Sequence, residues 1–153
     1  MQIKNLMTTD VATCRPETNL AIVAKLMWDK DCGFVPVVDA AGKVAGVITD
    51  RDICIASATR RLLPDQIMAA QAMRRPPIHT IQPEDTIEKA LSTMKQFQVR
   101  RLPVVAADGT LKGVVSMNDI VLASQRKEGP APAEILSTLS VICAHPPAKV
   151  AAA

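Results

Sequence analysis

The sequence predicts an α+β protein made of two copies of one β-α-β-β-α unit, and three observations point that way. First, Cys32 to Ser57 (CGFVPVVDAAGKVAGVITDRDICIAS) and Val99 to Ser124 (VRRLPVVAADGTLKGVVSMNDIVLAS) superimpose without a gap at an offset of 67 residues, Pro36 onto Pro103. Self-similarity at one fixed offset is the mark of a repeated structural unit. Second, in each copy apolar residues run at helical spacing and then as short β-branched stretches split by a glycine turn. Third, 153 residues of which 48% are hydrophobic can supply a core shared between two small units.

The match is dense. At the same offset Gly42 meets Gly109, Gly46 meets Gly113, Asp52 meets Asp119, and Ala56-Ser57 meets Ala123-Ser124. Upstream it carries Thr13 onto Thr80, Pro16 onto Pro83, Glu17 onto Glu84 and Met27 onto Met94, with one residue gained nearer the start of the second copy. The units divide as 1–63 and 64–127, followed by an Ala- and Pro-rich tail, 128–153.

Each copy opens with a short extended piece, Val11 to Cys14 or Ile78 to Ile81, that ends shortly before a proline. A helix follows. In copy two Asp85 is a candidate cap with Glu88 three residues on, and Ile87, Ala90, Leu91 and Met94 form the apolar stripe. In copy one Thr18 or Asn19 caps, and Leu20, Val23, Ala24 and Met27 form the stripe. Two β-rich runs come next, Val35 to Val38 with Val44 to Thr49, then Leu102 to Val105 with Leu111 to Ser116, each joined by a glycine-containing turn. A second helix leaves each hairpin, from Asp50 through about Thr59 and from Met117 through about Arg126.

The junction, Pro64 to Met73, reads as a short helix with Asp65 near its start and Ile67 and Met68 facing inward. In the tail, Ile135 to Ile142 is amphipathic, which fits either a docking helix with a frayed Pro-Pro-Ala end or a disordered segment. Small sheets covered by helices on one side leave apolar surface bare, so the copies are expected to pack against each other.

Composition narrows the function. No apolar run approaches the roughly 18 residues of a membrane span, and Met1 to Asp10 lacks the apolar region of a secretory signal, so a cytoplasmic protein is expected. Cys14, Cys32, Cys54 and Cys143 are widely spaced without a CxxC pattern and read as reduced, buried small hydrophobes. One Trp, two Phe and no Tyr leave little for aromatic stacking. The net charge is a modest +3, yet Arg60-Arg61, Arg74-Arg75 and Arg100-Arg101 stand as pairs, which favours small anions as partners.

The segment with chemistry in it is Gly46-Val47-Ile48-Thr49-Asp50-Arg51-Asp52, echoed by Gly113-Val114-Val115-Ser116-Met117-Asn118-Asp119. Its pattern, G-h-h-[S/T]-x-x-D, ends a buried strand on a hydroxyl residue and starts a helix whose unpaired N–H groups face outward. Thr or Ser followed three residues later by an acid is also a capping box, an ordinary helix start. Recurrence at one place in both copies favours a binding role beside the capping one.

VPVVDAAGKVAGVITDRDI and LPVVAADGTLKGVVSMNDI resemble the central hairpin and ribose-binding segment of tandem cystathionine-β-synthase (CBS) domains, and the resemblance covers about Ile3 to Gln125. It implies two motifs packed through their sheets with pseudo-twofold symmetry, and two clefts for adenosine-containing ligands: AMP, ADP, ATP or S-adenosylmethionine. It further implies a regulatory module, signalling by conformational or assembly change, that forms a homodimer and reports to a separate protein target. Carried over by position, Asp52 and Asp119 would accept from ribose hydroxyls, and Thr49 and Ser116 would line the phosphate side. The clefts would be crossed: Thr9, Val11, Cys32 and Gly33 would serve the cleft of Ser116 and Asp119, and Arg75, Ile78, Val99 and Arg100 that of Thr49 and Asp52. Arg101 matches a position that often meets phosphate, where copy one has Phe34, expected in the core. The Asp119 cleft is therefore the expected site for phosphorylated ligands.

A convergent set of nucleophile, acid and base is not evident, and neither is a GxxxxGK[ST] or GxGxxG loop, so an enzyme is not expected. His79, in an expected strand, and His145, in the tail, stand apart. Two rival readings are a nucleic-acid-binding module, from the arginine pairs and a pI near 8.8, and a structural dimerisation module with unoccupied clefts. Reversing the charge at Arg101 is expected to weaken ATP or AMP binding, and unchanged calorimetric affinity would remove that residue from the site.

Overall fold

The structure, a computed structural model, describes residues 1–144; His145 and the Pro-Pro-Ala stretch lie outside the described residues. In copy one, Leu20, Val23 and Met27 fall on one face and wind α1 (Leu20–Asp29), with the Asn19 side chain accepting the Ile22 N–H to begin it. Strands β1 (Phe34–Val38) and β2 (Val44–Thr49) form an antiparallel hairpin, with Val35 opposite Ile48 and Val37 opposite Gly46. Helix α2 (Asp50–Arg60) leaves β2 without a break.

The junction is a 3-10 turn at Pro64–Gln66 followed by the single turn α3 (Ala69–Ala72). Ile67 is fully buried as expected, but Met68 points outward, because the turn ends between the two and reverses the face. Copy two repeats the order: α4 (Ile87–Phe97), β3 (Arg101–Val105), β4 (Leu111–Ser116) and α5 (Met117–Ala123). Thr86, not Asp85, caps α4; Asp85 instead accepts the Gln82 N–H and pairs with Lys89.

The expected first strands shrink to single parallel bridges, Cys14 beside Val37 and Ile81 beside Val104. The reason is a missing donor. The Cys14 N–H donates to the Pro36 carbonyl and the Val38 N–H to that of Cys14, but the next rung needs an N–H on Pro36, which proline lacks. Pro103 stops the second copy in the same way after Ile81 N–H to Pro103 O (3.1 Å).

The segments that lead into each copy cross over to the other. Thr8 exchanges two backbone hydrogen bonds with Val114 of β4 (2.9 and 3.0 Å), and Arg74 does the same with Val47 of β2 (3.1 and 2.8 Å). Ile3, fully buried, fills the core of copy two beside Ile87, Leu91 and Leu102, while Ile67 fills that of copy one beside Leu20, Val23 and Ile48. Matched backbone bonds confirm the pseudo-twofold relation: Ile3 N–H to Asp85 O and Ala69 N–H to Thr18 O hold equivalent places. The hairpin tips meet across the axis through Val44 N–H to Gly109 O and Leu111 N–H to Gly42 O.

After α5, which ends three residues sooner than expected, α6 (Pro132–Cys143) docks on copy two and realises the docking-helix alternative for the tail. Ile135 enters the core, Lys95 donates to Ser137 and Gln98 to the Val141 carbonyl. All four cysteines are free, and only Cys14 is buried; Cys54 and Cys143 are exposed, on helix faces turned to solvent. Burial pushes the Cys14 thiol up to about 11.

Close approach of the crossing segments explains the paired glycines. A Cβ at Gly113 would lie 2.6 Å from the Thr8 carbonyl oxygen, and one at Gly46 2.8 Å from that of Arg74. Gly113→Ala is expected to cost about 1–3 kcal/mol through forced backbone displacement, read as a lowered urea midpoint. A midpoint equal to that of the parent would mean that the Thr8 segment does not sit against β4.

Candidate functional site

Two capping boxes stand where the hairpins turn into α2 and α5. The Thr49 hydroxyl and N–H both donate to Asp52 Oδ2 (2.7 and 2.9 Å), and the Asp52 N–H returns to Thr49 Oγ1 (3.2 Å). The Ser116 hydroxyl and N–H donate to Asp119 Oδ2 (2.6 and 2.7 Å), and the Asp119 N–H returns to Ser116 Oγ (3.3 Å). Capping therefore consumes one oxygen of each carboxylate and leaves the other available, so that helix starting and ligand binding are compatible duties of one side chain.

The spare oxygens differ in their surroundings. Asp52 Oδ1 lies 3.5 Å from Arg74 Nε, whereas no donor among the described residues reaches Asp119 Oδ1. The cause is one exchange at the crossing. Thr8 stands beside β4 where Arg74 stands beside β2.

The Asp119 cleft, about 480 Å³, brings together Val11, Cys32, Gly33, Arg101, Ser116 and Asp119 from both copies. Thr9 is not in its wall; its carbonyl accepts the Val11 N–H (3.0 Å). Thr8, Asp10, Lys30, Asp31 and Asn118 line it as well. Lys30 Nζ sits 2.8 Å from Asp10 Oδ2, and this hydrogen bond and its charge lower the Asp10 pKa and raise that of Lys30, both from exposed positions.

The Asp52 cleft is larger, about 650 Å³, and joins Thr49 with Arg75, Ile78, Val99 and Arg100. Asp52 itself stands behind Arg74 rather than in the wall. Arg51, Arg74, His79, Phe97 and Ile142 also line it, and His79 stacks on Phe97 with ring centroids 3.4 Å apart. Phe34, expected in the core, is only half buried, because as the first residue of β1 it sits at the pseudo-axis; both it and its counterpart Arg101 line both clefts. Arginine is thus concentrated in the Asp52 cleft, and Arg101 does not single out the Asp119 cleft. Arg74 was recoverable from sequence by aligning the lead segments one residue out of register, where the second copy gains its extra residue.

A family model for the CBS domain matches residues 3–59 and again 69–126, one match for each hairpin unit. The chain belongs to the CBS domain family. This CBS pair is 31% identical over 128 residues to the uncharacterized protein YlbB of Bacillus subtilis, covering 83% of this chain and 84% of that one. It is 34% identical over 120 residues to inosine-5'-monophosphate dehydrogenase of Mycobacterium leprae, covering 78% of this chain but 21% of the enzyme. The CBS pair therefore spans about a fifth of that relative's length, its CBS part alone. Among solved structures it resembles the CBS domain protein PAE2072 from Pyrobaculum aerophilum complexed with AMP (TM-score 0.72, 19% identity, 92% of this chain and 99% of that one). It also resembles the CBS domain pair of protein MJ0100 in complex with 5'-methylthioadenosine and S-adenosyl-L-methionine (TM-score 0.73, 21% identity, 82% and 98%). These two likenesses concern the fold. Among the described residues no helix is long and apolar enough to cross a membrane, and no group of three His, Cys, Asp or Glu could hold a metal ion.

Proposed function

We propose that this CBS pair is a regulatory module that binds adenosine-containing ligands, AMP, ADP, ATP or S-adenosylmethionine, in its two clefts. The observation that carries the reading is Asp119. One of its oxygens is fixed by the capping box, and no donor among the described residues engages the other, in a cleft walled by both copies. A carboxylate oxygen held this way is a ready acceptor for a pair of ribose hydroxyls. Val11, Cys32 and Gly33 line the same cleft and offer apolar and backbone surface to a flat base. The AMP and S-adenosylmethionine complexes of PAE2072 and MJ0100 share the adenosine moiety, which supports the same choice here.

Because each cleft is walled by a crossing segment and by the other copy's hairpin, a ligand that favours one relative setting of the copies shifts the pair toward it. The output goes through assembly into a homodimer or through a separate protein target. Exposed apolar side chains on α1 and α2, Ile22, Trp28 and Ile55 among them, are available for either.

Calorimetry tests the reading with AMP, ADP, ATP, S-adenosylmethionine and a short oligonucleotide. Saturable micromolar binding of an adenosine ligand, about −8 kcal/mol, is expected. Asp119→Asn keeps an oxygen for the cap but presents an amide N–H₂ to the ribose, so affinity is expected to fall about tenfold or more while the unfolding midpoint holds. Undiminished affinity in Asp119→Asn would refute the ribose role, and oligonucleotide binding alone, steeply salt-dependent, would favour a nucleic-acid partner.

A further inference from the structure

We propose that the two clefts sort ligands by charge: the Asp52 cleft receives the polyphosphate of a nucleoside di- or triphosphate, and the Asp119 cleft receives adenosine ligands with little net negative charge. The second half rests on the adenosine reading above. The first half stands on the arginines alone.

The two clefts are built from matched positions, so their differences are side-chain exchanges on one backbone frame. Asn118 is replaced by Arg51, Thr8 by Arg74 and Gly33 by Arg100, all toward positive charge in the Asp52 cleft. Asp31 is replaced by Gln98, which removes a negative charge, and in the other direction Lys30 is replaced by Phe97. The Asp52 cleft wall carries five arginines, Arg51, Arg74, Arg75, Arg100 and Arg101, against the single carboxylate of Asp50. The Asp119 cleft wall carries Asp10, Asp31 and Asp119 against Arg101 and Lys30, and Lys30 is already paired with Asp10. Concave walls of one sign concentrate ions of the opposite sign, and guanidinium forks match phosphate oxygens.

Arg74 and Arg100 are loosely engaged, whereas Arg75 donates to the Ala70 carbonyl (2.9 Å). Arg74 Nε is 3.5 Å from Asp52 with its side chain 61% exposed, and the one side-chain hydrogen bond of Arg100 among the described residues is to the Cys143 sulfur, at 3.6 Å. Arg74 is nevertheless fixed at its backbone by the two bonds to Val47, which brings its side chain to the cleft whatever the ligand. A bare nucleoside entering here meets a ribose carboxylate that Arg74 already holds. A triphosphate draws Arg74 to itself and leaves Asp52 Oδ1 to the ribose, so phosphate and ribose recognition reinforce each other in this cleft only.

The coupling makes removal of Arg74 act in opposite directions on two ligands. Titrations with inorganic tripolyphosphate, ATP and adenosine, followed by calorimetry and by backbone amide NMR to locate each ligand, test it on the full chain. Tripolyphosphate is expected to shift Thr49 to Arg51, Arg74 and Arg100 and to leave Ser116 to Asp119 unmoved. Arg74→Ala is expected to weaken tripolyphosphate about tenfold, the loss of one charged hydrogen-bonding partner, and to strengthen adenosine at Thr49 to Asp52. Arg51→Gln, at an exposed position of α2, is expected to weaken tripolyphosphate without strengthening adenosine. Equal weakening of both ligands in Arg74→Ala, or tripolyphosphate shifts as large in the Asp119 cleft, would overturn the proposal while leaving the adenosine reading intact. Tripolyphosphate binding as described with no adenosine ligand bound in either cleft would sustain the polyphosphate receptor and refute the adenosine reading.

Discussion

Four backbone hydrogen bonds, two between Thr8 and Val114 and two between Arg74 and Val47, decide how this molecule is put together. They attach the lead of each copy to the hairpin of the other. Once those segments cross, Ile3 must complete the core of copy two and Ile67 that of copy one, so neither half has its full apolar interior alone. The same crossing sets the composition of the clefts, since residues 8 to 12 face the start of α5 and residues 74 to 79 face the start of α2. Gly46 and Gly113 are the side-chain condition for all of it: any Cβ there would press on the crossing carbonyls.

Symmetry of the backbone and asymmetry of the side chains then have separate effects. The shared frame supplies two capped helix starts with one carboxylate oxygen to spare at each. A few exchanges on that frame, Thr8 for Arg74 and Asn118 for Arg51 above all, give the clefts opposite electrostatic character. The docked helix α6 adds a third difference, because Ile142 closes part of the Asp52 cleft and has no counterpart beside Asp119. The proposed sorting of ligands by charge rests on this contrast between two clefts built on one backbone frame.

What was legible from sequence was what local signals encode. The repeat offset, the helix stripes, the hairpins and the Thr49–Asp52 and Ser116–Asp119 boxes all involve residues close in the chain, and all appear in the structure. The first strands were overextended because the donor lost at Pro36 and Pro103 acts on a partner more than twenty residues away. The crossed cleft partners come from the family resemblance, and of the assigned residues Thr9 and Asp52 stand off the walls. The Arg74 contact escapes the sequence patterns for a geometric reason: a lone bridge carries no alternating pattern, and its traces are Gly46 beside it and the one-residue shift of the lead segments. Phe34 reads as core by composition, yet its place at the pseudo-axis puts it between two cavities.

The claim on which everything else stands is that each cleft is composite, walled by the lead of one copy and the helix start of the other. Amide NMR during titration with adenosine measures this directly. Composite clefts predict that shifts appear together in Val11, Cys32 and Gly33 of copy one and in Ser116 to Asp119 of copy two, saturating with one constant. Shifts confined to a single copy, or two sets saturating at different concentrations, would contradict it.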